Sequence, residues 1–217
     1  MGISEIKKIV ALTTILSVAS VGLYVAAEPQ ISSAQATADD TVIITLNVDA
    51  GISITSPADS SMSTNLGVSV NKAIATTTWN VKTNNNLGYT LAVKASQDPA
   101  MQSAGDEVLD YTESVGGTPE TWSVGASTAE FGYSAFGTDV PTGTWGTGSQ
   151  CSSTVNANST TLKYVGFSTS DKTIATRSST TTPSGIDSTV CYAVEQNGFY
   201  IPSGTYTATI TATATTL

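Results

Sequence analysis

The C-terminal residues of this chain alternate strictly between threonine and apolar or aromatic side chains. Threonine occupies every odd position from Thr205 to Thr215, and the even positions carry Tyr206, Ala208, Ile210, Ala212 and Ala214. A period of two places one kind of side chain on each face of an extended strand. Threonine is β-branched and favours extended backbone. The pattern therefore predicts a long β-strand with one polar and one apolar face.

Similar alternation recurs along most of the chain. The predicted strands cover residues 41–48, 52–54, 66–70, 74–83, 88–96, 164–168, 190–195 and 205–215. An Asn- and Gly-rich turn at 84–88 joins two of them and predicts a hairpin. Residues 99–112 are expected to contain only a short helical turn.

Two further segments are rich in small and polar residues. Residues 116–149 are expected to form irregular hairpins or long loops, and residues 168–188 an exposed loop. Short strands separated by turn clusters are typical of a β-sandwich. We therefore expect an all-β antiparallel sandwich, immunoglobulin-like or jelly-roll-like, with long loops.

The N-terminus indicates export. Lys7 and Lys8 precede an apolar run over residues 9–27, which is typical of a secretory signal helix. Cleavage is expected after Ala27 or Ala36; an uncleaved membrane anchor is the alternative, because about 20 apolar residues span a bilayer. Residues 1–36 are then a signal peptide and N-terminal segment. Residues 37–217 form a single elaborated sandwich domain, unless 116–149 folds as a small domain of its own.

Cysteine usage and charge agree with a secreted or cell-surface location. Cys151 and Cys191 are the only cysteines, and an isolated pair in an oxidising compartment predicts a disulfide. The net charge is −9, and only 8 of the 217 residues are Lys or Arg. Nucleic acids and anionic membranes are bound by clustered basic residues. We therefore expect no nucleic-acid partner, and no membrane partner after signal cleavage.

The residues that usually carry catalysis are scarce. The chain contains no histidine, which excludes Ser-His-Asp and Cys-His sites and histidine-ligated zinc. We expect no cofactor and a non-enzymatic function. An extracellular polysaccharide hydrolase stays an alternative, because it requires only two well-placed carboxylates. An acidic cluster is either a Ca²⁺ site or a solvated charged turn: Asp106, Glu107, Asp110 and Glu113.

Aromatic residues in the Gly- and Thr-rich region allow another function. Trp122, Tyr133 and Trp145 are candidates for a platform on which sugar rings stack. The alternative is that these rings fill the sandwich core. A secreted glycan-binding module is therefore a second functional hypothesis.

Parts of the chain resemble known surface domains. Residues 78–85 (TWNVKTNN) and 88–93 (GYTLAV) resemble patterns in WxL-type cell-surface domains. The closing segment at 203–209 (SGTYTAT) is similar to the terminal strand of spore-coat-U-like secreted pilus domains. These resemblances imply an immunoglobulin-like sandwich used in cell-surface assemblies.

The favoured hypothesis is an exported structural or adhesive protein, with a filament or pilus-like subunit as its most specific form. Its partners would be other copies of itself or other cell-surface components. A strand of one subunit can add to an open sheet edge of another. The candidate strand-addition residues are Val42, Ile44, Leu46, Val48, Tyr206 and Ile210. The alternative is that residues 41–48 pair within their own sheet.

Overall fold

A computed structural model describes residues 37–154 and 156–217. The predicted signal peptide and its cleavage positions, after Ala27 or Ala36, lie outside the described residues. The chain divides into two units, residues 1–47 and 48–217, and the second contains all the described strands.

Within the described residues the chain forms twelve strands and one short helix. The strands are β1 (Ile52–Ile54), β2 (Lys72–Thr83), β3 (Tyr89–Ala95), β4 (Met101–Gln102), β5 (Glu107–Asp110), β6 (Thr128–Gly137), β7 (Ser152–Thr154), β8 (Ala157–Asn158), β9 (Val165–Gly166), β10 (Lys172–Arg177), β11 (Ile186–Asn197) and β12 (Ile210–Thr216). Helix α1 covers Thr142–Trp145.

These strands form two main sheets. Sheet I has the order β1-β2-β11-β6-β5-β4, and β9 also pairs with β6. Sheet II has the order β10-β3-β12, and β7 and β8 form a separate small hairpin. Every pairing is antiparallel except the parallel pair β5–β6. The predicted all-β sandwich is confirmed, and its larger sheet is mixed.

The main core lies between the two sheets. Alternate residues of the facing strands fill it, as expected when each strand buries one face. Tyr133 of β6 stacks on Phe167 with ring centroids 4.2 Å apart. The largest fully buried side chains of this core include Trp145, Tyr89, Tyr133, Phe131, Leu91 and Ile174.

A second apolar cluster covers the opposite face of sheet I. It contains Tyr111, Trp122, Val124, Leu162, Tyr164 and both cysteines. The Cys151–Cys191 disulfide joins the 151 loop to the middle of β11, which confirms the predicted pairing. Strands β6 and β11 are therefore buried on both faces, and residues 111–124 and 151–164 form a covering layer over sheet I.

The predicted hairpin of 74–83 and 88–96 is wrong, although both strands exist. Strand β2 pairs with β1 and β11 in sheet I, while β3 pairs with β10 and β12 in sheet II. The asparagine turn, residues 84–88, therefore crosses from one sheet to the other. Gly88 has φ +86° and lies against the Arg177 carbonyl, so the crossing leaves no room for a Cβ.

Four other local expectations are also wrong. Residues 99–112 form the β4–β5 hairpin instead of a helical turn. Residues 116–149 contain β6, a central strand, and residues 168–188 contain β10. Residues 66–70 form only an isolated bridge between Gly67 and Val70.

Strand β6 is not predicted from the sequence because a glycine, Gly132, lies at its centre. Glycine interrupts the alternation and usually weakens a strand. A Cβ at Gly132 would lie 2.8 Å from both Tyr111 and the Val165 carbonyl oxygen. The glycine is required by the covering layer that packs on this face.

Candidate functional site

Strand β12, at one edge of sheet II, is the second half of the predicted two-faced strand. Residues 205–209, which include the candidate strand-addition residue Tyr206, lie outside it and form only an isolated bridge from Thr207 to Gln102, so the predicted length is wrong. Strand β12 pairs antiparallel with β3 from Ile210–Ala95 to Thr216–Tyr89. Its even-numbered side chains are half-buried against the main core, except at Thr216, and its odd-numbered threonines are exposed. The prediction that the alternation gives one apolar face toward the core and one threonine face toward solvent is thus confirmed for β12.

The backbone of β12 leaves one side unpaired. Ser96 donates to the Thr209 carbonyl and Leu217 donates to the Gly88 carbonyl, so odd-numbered residues bond to β3. In an antiparallel pair the intervening residues direct their N–H and C=O groups the other way. Within the described chain, no strand pairs with that side, which carries the backbone groups of Ile210, Ala212, Ala214 and Thr216.

Nothing in the β12 sequence protects this edge. Natural sheets discourage added strands with lysine, proline, bulges or very short edge strands. Residues 205–217 contain no charged residue and no proline. The edge therefore lacks the charges and the proline that usually discourage an added strand.

The opposite edge of sheet II, formed by β10, carries the protective features that β12 lacks. Strand β10 begins at Lys172, ends at Arg177, and has a register shift between Thr173 and Ala175. The Thr176 N–H donates to the Asp139 carbonyl, and the Arg177 guanidinium pairs with the Asp139 carboxylate at 3.2 Å. Charge, irregularity and a covering loop close this edge.

The seam beside β12 is an incompletely covered part of the core. Strand β1, with only three residues, lies next to β12 at the edge of sheet I. Half-buried apolar side chains of β1, β12 and the segments 62–66 and 201–208 pack against this core. They are Ile52, Ile54, Met62, Leu66, Ile201, Tyr206, Ala208, Ile210, Ala212 and Ala214.

The predicted strand at 41–48 is absent from both sheets. Residues 37–51 form no strand or helix. The predicted strand is therefore wrong for this chain, and so is the alternative that residues 41–48 pair within their own sheet. The exposed fractions of its apolar side chains are Val42 81%, Ile43 91%, Ile44 91%, Leu46 83% and Val48 72%. Residues 42–48 carry no charge and five of the seven are apolar, so an apolar stretch is exposed to solvent, which is costly unless a partner covers it.

The asparagine turn holds the chain that enters β1 and the end of β12. The Asn84 side chain accepts from the Gly51 N–H at 2.6 Å and donates to the Asp49 carbonyl at 2.8 Å. The neighbouring Asn85 side chain donates to the Leu217 carbonyl at 2.7 Å. The start of β1 and the end of β12 therefore lie at the same end of the domain.

The candidate sugar-stacking residues do not form a surface. Trp122 is 9% exposed, Tyr133 1% and Trp145 0%. Trp122 stacks on Tyr111 in the covering layer, while Tyr133 and Trp145 contact each other in the main core. The stacking hypothesis for these rings is wrong because their faces are occupied by other side chains.

The four acidic residues of the candidate Ca²⁺ site do not converge. Asp106 and Glu107 are exposed on the β4–β5 hairpin. The Glu113 carboxylate accepts the Gly117 and Gly166 N–H groups. Among the described residues, no group of three or more acidic or cysteine side chains is placed to hold a metal ion.

Asp110, the fourth of these residues, has a perturbed acidity. Burial raises the pKa of its carboxyl from 3.8 to about 7, and the nearby Asp98 and Glu113 carboxylates add to this. The Ala100 N–H donates to Asp110 at 3.0 Å and acts in the opposite direction. The folded protein therefore holds a proton that the unfolded chain releases near pH 4.

This shift predicts a pH-dependent stability. The free energy of unfolding should fall as the pH rises from about 4 to about 7, because the unfolded chain has lost the Asp110 proton and the folded protein has not. Asp110→Asn should reduce this slope in urea titrations across that range. The matched control is Asp106→Asn, an exposed position on the same hairpin. An unchanged slope in Asp110→Asn would contradict the assignment.

A row of charged residues crosses three strands beneath the covering layer. Lys72, Glu195 and Glu130 are register partners on β2, β11 and β6. The Lys72 ammonium lies 3.0 Å from the Glu195 carboxylate, which also accepts the Trp122 indole N–H at 2.6 Å. Burial, with the Glu113 and Glu195 carboxylates, raises the pKa of Glu130. The row ties the covering layer to sheet I.

A cavity of about 310 Å³ lies near Glu113 and Lys172. Both side chains bond to the backbone of Gly117, which also lines the cavity. Lys172 donates to the Gly117 carbonyl at 2.6 Å, and the Glu113 carboxylate accepts the Gly117 N–H at 2.9 Å. Asp171, which also lines the cavity, pairs with Lys94 at 3.5 Å. The charged groups of this cavity thus hold its walls together.

Comparisons with protein-family models, curated proteins and solved structures find no match to this chain. No helix among the described residues combines the length and apolar character needed to cross a bilayer. The features that bear on function are the unpaired edge of β12 and the exposed apolar segment 42–48.

Proposed function

We propose that this chain is an exported cell-surface structural or adhesive protein whose copies assemble by β-strand addition into a filament or pilus-like polymer. The observation that carries the proposal is the exposed apolar segment 42–48. Its apolar side chains follow the alternation of a strand, yet their exposed fractions range from 72% to 91%. A strand that finds its sheet only in another subunit has this combination of properties.

Export and surface location are supported by independent features. The apolar run after Lys7 and Lys8 is typical of a secretory signal. The Cys151–Cys191 disulfide forms and persists in oxidising compartments. An acidic surface poor in lysine fits neither nucleic acid nor an anionic membrane as the main partner.

The protein should self-associate when it is purified with residues 37–217 intact. Analytical ultracentrifugation over a range of concentrations should show oligomers larger than dimers, since every subunit carries both a donor segment and an open edge. Electron microscopy of the concentrated protein should show linear particles. A chain that stays monomeric at high concentration would contradict assembly by strand addition.

A further inference from the structure

We infer that the acceptor for residues 41–48 is the free edge of β12 in a second copy of this chain. This inference rests on the proposed function and specifies its partner surface. The first reason is selectivity among edges. β1 and β4, the end strands of sheet I, have three and two residues, and β10 is charged and covered. β12 offers seven residues without charge or proline.

The second reason is the match in length and pattern. Residues 41–48 span about 26 Å when extended, and the seven residues of β12 span about 23 Å. The donor contributes alternate apolar side chains at Val42, Ile44, Leu46 and Val48. These would lie on the same side as the half-buried Ile210, Ala212 and Ala214 of β12 and cover the seam beside β1.

The third reason is that the chain before β1 is already fixed. β1 and β12 run in opposite directions, and β1 starts where β12 ends, at the asparagine turn. For residues 41–48 to reach their own β12, the chain would have to reverse within residues 49–51. The Asp49 and Gly51 backbone groups are instead bonded to Asn84 and Thr83. A second copy avoids this reversal.

Ala212→Pro tests the acceptor edge. The Ala212 N–H points away from β3, so proline removes a donor from the free edge without breaking a bond to β3. The association constant measured by ultracentrifugation should fall at least about tenfold, which is the loss of about 1.4 kcal/mol. Ala212→Ser keeps the N–H and is the matched control, with association unchanged.

Site-specific cross-linking tests the same contact without a proline. A Thr45→Cys chain mixed with a Thr213→Cys chain should form a 45–213 disulfide, identified by mass spectrometry, because both residues lie mid-strand on the solvent face. Thr45→Cys mixed with Thr176→Cys, on the covered β10 edge, is the control. If thermal unfolding shows that Ala212→Pro does not fold, the cross-link alone decides whether β12 is the acceptor for residues 41–48.

The outcomes separate the two proposals. If the parent protein associates but Ala212→Pro associates equally and Thr45 cross-links elsewhere, the acceptor is not β12 and strand addition itself stands. If the mixed single-cysteine chains form no 45–213 link, whereas a chain carrying both Thr45→Cys and Thr213→Cys forms the link only within itself, the second-copy assignment is overturned. If the parent protein does not associate at all, the proposed function fails together with this inference.

Discussion

Replacing both cysteines, in a Cys151→Ala/Cys191→Ala variant, is expected to lower the free energy of unfolding by about 4 kcal/mol. The disulfide closes a loop of 40 residues, and in the chain-entropy model a loop of this length constrains the unfolded chain by that amount. Both cysteines are also nearly fully buried in the second apolar cluster. Urea unfolding at pH 7 measures the difference.

The location of the disulfide adds a second expectation for the same variant. Cys151 belongs to the covering layer and Cys191 to β11, so the layer should open more readily than sheet I. Hydrogen exchange should accelerate more at the Tyr164 and Glu120 amides, each of which donates to the other residue's carbonyl, than at the β2–β11 pairing. If hydrogen exchange accelerates equally in the layer and in sheet I, or if the free energy of unfolding falls by less than about 1 kcal/mol, the disulfide does not stabilise the covering layer.

An Ile44→Asp/Leu46→Asp variant is expected to abolish self-association without changing thermal stability. The two side chains are 91% and 83% exposed, so their replacement removes no contact within the domain. In the assembled state each would place an unpaired carboxylate in the apolar seam, at a cost of several kcal/mol. Association should weaken by more than about 100-fold.

The segment provides its own control for that experiment. Ile43 is as exposed as Ile44 but lies on the other face of an extended strand. Ile43→Asp should therefore retain most of the association measured by ultracentrifugation. Equal losses in the two variants would indicate nonspecific apolar adhesion instead of pairing as a strand.

The sequence predicts the fold class well because alternation is a local property. The two-faced β12, the strands around Trp79 and Tyr89, and the disulfide all follow from residue type and spacing. Partner choice is not local. The asparagine turn has the composition of a hairpin, but in a sandwich both flanking strands bury a face, and either sheet can accept them.

Strands with two buried faces are also hard to predict. In β6 the face toward the covering layer carries Glu130, Gly132 and Ser134, so its pattern resembles a polar loop. In β10 the register shift places Ile174 and Ala175 in the core as consecutive residues. Both patterns depend on neighbours that are distant in sequence.

Some features of the candidate site can also be predicted from the sequence, and others cannot. The apolar pattern at 42–48 is visible in the sequence, and so is the lack of charge in 205–217. That the first segment lies outside the sheets, and that the second has an unpaired side, depends on the complete strand order. The burial of Trp122 and Trp145 likewise follows from the covering layer and the core, which residue type alone does not reveal.

The asparagine turn has a mechanical consequence for a polymer built in this way. Tension along such a polymer would reach each domain through Asp49–Gly51, where Asn84 and Thr83 hold the backbone. The load would then pass into β2, a twelve-residue strand that pairs with β11 over most of its length, and be resisted by many hydrogen bonds in parallel. Without this anchorage, the three-residue β1 would peel from the sheet one bond at a time.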